Sequence, residues 1–266
     1  MAAAFLLDSH LHLQDPRLKA ILPEVLRRAR DVGIGRLLCN ATREDDWPRV
    51  LELGEELPEV LAFVGVHPWH ADRVAPGWEK RLEGLVAANR CGIGEAGLDG
   101  TCRAAMAQQA VVLQTQLDLA VKYRRPISLH CVGNWGRMVD VLEHRYTVGS
   151  MPRVMLHAFN GSIETMRRLA KIGCWFSFSA GLVDPDRHRL RQVFREVPLK
   201  SILLETDAPD QLPADVKKAG GIRCNEPANI VGLYRQAADL RRLDLEEFTH
   251  HIWHNGEIFT DSLLPR

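Results

Sequence analysis

The chain has 266 residues, 46% hydrophobic and 26% charged, with Lys plus Arg equal to Asp plus Glu at 34 each. This is enough apolar material for a large core and excludes an intrinsically disordered chain; zero net charge excludes the global positive field of a domain built to hold extended duplex DNA or an anionic membrane. A (β/α)8 barrel needs roughly 250 residues, so one domain over residues 1–266 is expected.

Short β-rich runs recur along the chain, separated by longer segments of 3.6-residue apolar period. The first, Phe5–Asp8, is apolar with no basic stretch before it, so it reads as a strand and not a secretion signal. It leads into Asp8-Ser9-His10-Leu11-His12, where two imidazoles two residues apart in extended chain face one side. A helical face of Leu22, Val25, Leu26 and Ala29 precedes the second run, Arg36–Ala41. The third run, Leu61–Val66, ends in Gly65-Val66-His67-Pro68, and the fourth, Arg90–Gly94, ends at Glu95 among small residues that let backbone and ligand approach closely. Met106, Ala110, Leu113, Leu117, Ala120 and Val121 then share one helix face. The fifth run, Pro126–Leu129, stops at His130, and the sixth, Arg153–Leu156, at His157. Cys174–Ser179 is the seventh and Ser201–Glu205 the eighth, with Asp207 two residues on. Residues 225–254 read as two terminal helices, the first opened by Asn225 as cap and Pro227 in the first turn.

Strand and helix alternate throughout, as in parallel βαβ units, which leaves a closed barrel or an open doubly wound sheet. The polar residues decide for the barrel. His10, His12, His67, Glu95, His130, His157 and Asp207 all fall at or just past strand ends, and only a closed barrel gathers eight strand ends at one mouth. Each residue alone has a plainer reading: two incidental histidines, an N-capping Glu95, hydrogen-bonded core histidines at 130 and 157. Together, His10, His12, Glu95, His130, His157 and Asp207 read as ligands of one or two divalent cations. Glu95 has two oxygens with which to bridge them, and Asp207 can bind metal, take a proton from the attacking water, or both. His67 lies between the ligand-bearing strands and reads as a substrate contact, with a turn-held histidine at Pro68 as the alternative. His250, His251 and His254, with His70, His144 and His188, read as surface or helix-end residues. The six cysteines show no C-x-x-C pair and are expected reduced, as in a cytoplasmic protein. No apolar run reaches membrane-spanning length.

Taken in order, Asp8-Ser9-His10-Leu11-His12, Gly65-Val66-His67-Pro68, Gly94-Glu95-Ala96-Gly97-Leu98-Asp99, Gln109, Gln116-Leu117-Asp118-Leu119-Ala120, His130, His157-Ala158-Phe159-Asn160-Gly161-Ser162, Leu204-Glu205-Thr206-Asp207-Ala208-Pro209 and Asn225-Glu226-Pro227 resemble the TatD family of metal-dependent deoxyribonucleases, over nearly the whole chain. The resemblance implies a TIM barrel with His10, His12, Glu95 and Asp207 around one metal and Glu95, His130 and His157 around another. It also implies 3′-to-5′ hydrolysis of DNA. The chain departs from the family pattern at Gly100-Thr101, where an aromatic is common, at Cys131-Val132-Gly133, where a small residue and Arg are common, and at Trp69, often His.

The function expected is a phosphodiesterase using metal-bound hydroxide, with Asp207, Glu95 and His67 as catalytic residues and Zn, Mn, Mg or Fe as cofactor. Single-stranded or frayed DNA is the expected partner, with no membrane and no obligate protein partner. Trp69 has two readings, stacking on a terminal base or packing under its loop. The alternatives are a carboxylic-ester, lactone or aminoacyl-tRNA hydrolase on the same barrel, and a non-catalytic metal-binding protein.

Overall fold

The computed structural model of the chain describes residues 5–219 and 224–264. Eight strands, β1 (Leu6–Leu11), β2 (Ile34–Asn40), β3 (Val60–Val64), β4 (Gly92–Asp99), β5 (Ile127–Val132), β6 (Val154–Leu156), β7 (Trp175–Phe178) and β8 (Ile202–Leu204), form one sheet in sequence order. All seven pairings are parallel, with helices in the crossovers, so the sheet curls into the expected (β/α)8 barrel. Phenylalanines join strands to the outer helices: Phe178 of β7 meets Phe194 with ring centroids 5.0 Å apart, and Phe63 of β3 meets Phe259 at 6.2 Å. No helix among the described residues is long and apolar enough to cross a membrane. All six cysteines are free, and Cys39, Cys91, Cys131 and Cys174 are buried.

Each expected strand is present, but two run further than their apolar stretches. β1 continues through His10, and β4 runs five residues past Gly94, through Glu95 to Asp99. Both extensions contain a bulge. Asp8 pairs with Leu37 and Leu11 with Cys39, so three steps along β1 match two along β2; Ile93 pairs with Ile127 and Ala96 with Leu129, the same excess in β4. A bulge re-aims the side chains beside it, and here those are His10 and Glu95.

The last pairing, between β8 and β1, is not a regular ladder. The backbone N–H of Asp207 donates to His10 O at 3.0 Å and that of His12 to Ala208 O at 2.7 Å. Buried Asp8 takes the N–H of Thr206 at 3.0 Å and its hydroxyl at 2.5 Å. Below this, terminal helices fill the seam. Tyr234, on the helix Ile230–Arg241, accepts from Leu7 N at 3.0 Å and donates to Leu7 O at 2.9 Å. Asn255, on the helix Leu245–Thr260, donates to Leu199 O at 2.8 Å and Ile202 O at 2.9 Å.

The first terminal helix starts later than the sequence suggests, and the second runs past residue 254 to Thr260. Pro227–Asn229 is a 3-10 turn and the α-helix begins at Ile230. Asn225 does not cap that helix. Its amide nitrogen donates to Thr206 O at 2.8 Å, tying this segment to the loop after β8.

Candidate active site

Glu95 lies at the centre of the mouth. Its Oε2 faces His10 Nε2 at 3.3 Å and His12 Nε2 at 3.5 Å; its Oε1 faces His157 Nε2 at 2.8 Å, His130 Nδ1 at 3.0 Å and His67 Nε2 at 3.1 Å. Asp207 Oδ1 stands 3.4 Å from His12 Nε2 and 3.8 Å from His10 Nε2. All seven residues singled out in the sequence therefore meet at one place, and the two oxygens of Glu95 divide the histidines into two sets.

Close backbone approach makes this possible. Gly97 has φ +150°, and a Cβ there would sit 2.0 Å from His130 O; Gly94, at φ +156°, would press on Asn40 and Ser128. Asp207 and Ala158 are non-glycine residues at φ +56° and +43°, the kind of strained backbone that gathers at functional sites.

Behind three of the histidines a polar group bonds the nitrogen turned away from Glu95, and behind a fourth a buried carboxylate stands near it. His12 Nδ1 bonds Asn40 O at 2.7 Å, His10 Nδ1 bonds Ser128 Oγ at 2.9 Å, His130 Nε2 bonds Asp99 Oδ2 at 3.2 Å, and His157 Nδ1 lies 3.4 Å from Glu205 Oε1. A carbonyl can only accept, so His12 Nδ1 carries a proton and Nε2 is the nitrogen turned toward the carboxylate oxygens. Burial opposes charge on His12, but Asp207 and Glu95 outweigh it and push its pKa up to about 9. His10 Nε2 is wholly buried without a hydrogen-bond partner among the described residues. Imidazole nitrogens converging on carboxylates, three of them on rings bonded from behind, are the donor arrangement that a divalent cation completes by displacing the ring protons, and the residues present fit one or two such ions.

His67 differs. Its Nδ1 accepts the backbone N–H of Trp69 at 3.1 Å, so in the neutral ring the proton sits on Nε2, facing Glu95. Burial holds its pKa down at about 4, so the ring is a neutral donor. His70, read from sequence as a surface residue, lines the mouth, a cavity of about 700 Å³ shared with Thr42, Arg43, Trp69, Cys131 and Phe159.

Of the supporting residues, Asp99, Gln109 and Gln116 stand in the segments that carry the family resemblance, but the sequence assigned them no role. Burial opposes charge on Asp99, but His130, Thr101 and Trp69 hold its carboxyl well below the usual carboxylate range. Gln211 donates to Asp207 Oδ2 at 2.7 Å. Gln109 and Gln116, two turns apart on the helix Met106–Lys122, are buried and clasp backbone: Gln109 takes Asp99 N at 2.7 Å, and Gln116 takes Val66 N at 2.8 Å and donates to Val66 O at 3.1 Å. Besides their place in that resemblance, the clue to their role was a polar residue recurring at i and i+7 on an apolar helix face.

A family model for "TatD related DNase" matches residues 7–260. The chain is 30% identical over 243 residues to a protein of Edwardsiella piscicida named 3′-5′ ssDNA/RNA exonuclease TatD, covering 90% of this chain and 93% of that one. It is 28% identical over 258 residues to YjjV of Escherichia coli, named as a metal-dependent hydrolase, covering 94% and 95%. The crystal structure of YjjV, titled a TatD homolog, superposes with TM-score 0.89 at 26% identity over 100% of both chains.

Proposed function

Because this chain belongs to the family of TatD related DNases, we propose that it is a divalent-metal-dependent phosphodiesterase that removes nucleotides from the 3′ ends of single-stranded DNA. The observation that carries this reading is Glu95, with one oxygen toward His10 and His12 and the other toward His130 and His157. On this reading His10, His12, Glu95 and Asp207 hold one cation, and Glu95, His130 and His157 a second. A set rich in imidazole suits Zn, Mn or Fe better than Mg.

Bound divalent cations supply Lewis-acid polarisation of the phosphoryl group, activation of water, and the positive charge that a neutral chain lacks. The protein's own residues do the rest. Burial opposes charge on Asp207, but His12, His157 and His10 keep its carboxyl ionised with a pKa of about 2, so it stands as an anion that binds the cation and accepts a hydrogen bond from the attacking water as that water loses its proton. His67, neutral with Nε2–H toward the mouth, donates to a phosphoryl or leaving oxygen. Gln116 fixes the backbone just before His67, and Asp99 fixes His130. A recessed mouth of about 700 Å³ takes a strand end and keeps out the body of a duplex.

The test strips the protein with chelator, reloads it with Zn, Mn, Fe or Mg, and assays single-stranded DNA, RNA, a lactone and an aminoacyl-tRNA. The expected result is metal-restored release of mononucleotides from the 3′ end of single-stranded DNA. Turnover of the lactone or aminoacyl-tRNA with no nucleotide release overturns the assignment.

A further inference from the structure

Trp69 is 58% exposed; among the large apolar side chains left exposed in the described residues, it alone lines the mouth. A tryptophan that packs under a loop loses its surface to that loop, and this one keeps most of its surface in water. Nor is it loose. Its indole N–H donates to Asp99 Oδ2 at 2.7 Å, its backbone N–H is taken by His67, Pro68 precedes it, and its ring meets that of His67 edge to face at 4.8 Å and 76°. The carboxylate oxygen that anchors it also bonds His130 Nε2. A large aromatic face is thus fixed and wetted one residue-contact away from the Glu95 cluster.

A rigid exposed ring beside a phosphodiester site matches the flat face present on every nucleobase, and its ordering cost is met before substrate arrives. We propose that Trp69 is the stacking platform for the base of the strand-end nucleotide, and so determines that the substrate is a nucleotide chain and not a bare phosphodiester. This rests on the reading of the site as a nuclease. The contact is to a π-face, so it favours no base by hydrogen bonding, and it makes Trp69 a specificity residue and Asp99 the positioning residue behind it.

The test uses metal-loaded enzyme with two oligonucleotides that differ only in whether the 3′-terminal residue carries a base or is abasic. On the intact end, Trp69→Ala should lower kcat/KM by about tenfold or more, mainly through KM, as expected for one lost base stack. Trp69→Phe, which keeps a ring but loses the N–H bond to Asp99, should recover most of that loss. On the abasic end the wild type should fall to the level of Trp69→Ala, closing the gap between them. Equal losses in Trp69→Ala and Trp69→Phe would assign the effect to the Asp99 hydrogen bond and overturn stacking. So would a Trp69→Ala loss of the same size on both ends, or wild-type enzyme indifferent to the missing base. Wild-type enzyme that releases nucleotides from neither oligonucleotide defeats the nuclease reading itself, and the platform with it.

Discussion

Glu95 is a carboxylate enclosed by five imidazole nitrogens at 2.8–3.5 Å, which makes it the residue whose charge the site depends on most. Glu95→Gln keeps the shape and removes that charge. Activity should drop about 10²-fold or more, as when other preorganised electrostatic groups are removed, with metal content falling alongside. Full metal occupancy and a near-normal rate, by elemental analysis and assay of one preparation, would exclude a bridging role. His67→Ala is the counterpart: its proton faces inward and its pKa of about 4 keeps it neutral, so metal content should hold while turnover falls about 10²-fold. Loss of metal there would make His67 a ligand. His12 gives a pH prediction. Without metal its pKa is about 9, above the ordinary 6.5, so the proton's contribution to stability is complete below about pH 6.5 and is lost as pH rises through 9. On the proposed ligand set a cation displaces that proton and those on His157 and His130, whose pKa values are also raised, so apparent metal affinity should rise at least about tenfold per pH unit from 7 toward 9. Calorimetric titrations of the wild type and His12→Gln at pH 7 and 8 in buffers of different ionisation enthalpy measure the protons released; equal release from the two would mean His12 gives up no proton to a cation.

At the scale of elements, all eight strands and their order could be read in the sequence, because buried parallel strands are short apolar runs and the crossover helices carry a 3.6-residue period. Where β1 and β4 end could not. Their last residues interrupt the apolar run with Ser9, His10, Glu95, Gly97 and Asp99, and what carries the strands on is a bulge and bonding to neighbouring backbone, as in Glu95 N to Ala41 O at 2.7 Å. The ligand candidates were legible for the same topological reason: a polar residue closing an apolar run marks the mouth. The groups behind them were not, since Ser128, Asn40 and Asp99 sit inside apolar or glycine-rich stretches and acquire a purpose only once another strand stands beside them. Gln116 shows how much such a group carries. Gln116→Leu keeps the helix and its volume but strips partners from both backbone polar groups of Val66, at a cost of about 1–3 kcal/mol in stability. Turnover should fall with it, because His67 is the next residue. Urea denaturation together with kinetics checks both, and a stable variant with lowered activity would place the role of Gln116 wholly in positioning.

On the scale of the whole molecule, the barrel is closed by regular pairing everywhere except between its first and last strands. Tyr234 spans that gap with one hydroxyl serving both polar groups of Leu7. Tyr234→Phe should therefore cost about 1–3 kcal/mol, read as a lower urea midpoint at unchanged slope in chelator, and an unaltered midpoint would show that the seam does without it. Metal should offset part of the loss, since a ligand that binds only the folded chain adds stability by mass action. The seam has a further consequence during synthesis. His10 and His12 leave the ribosome early, while Asp207, which faces them, follows 195 residues after His12 (207 − 12). For most of translation the imidazoles lack that carboxylate and β1 has an open edge, so a chain released early lacks part of the proposed donor set. The order of the strands ties hydrolytic competence to a finished polypeptide.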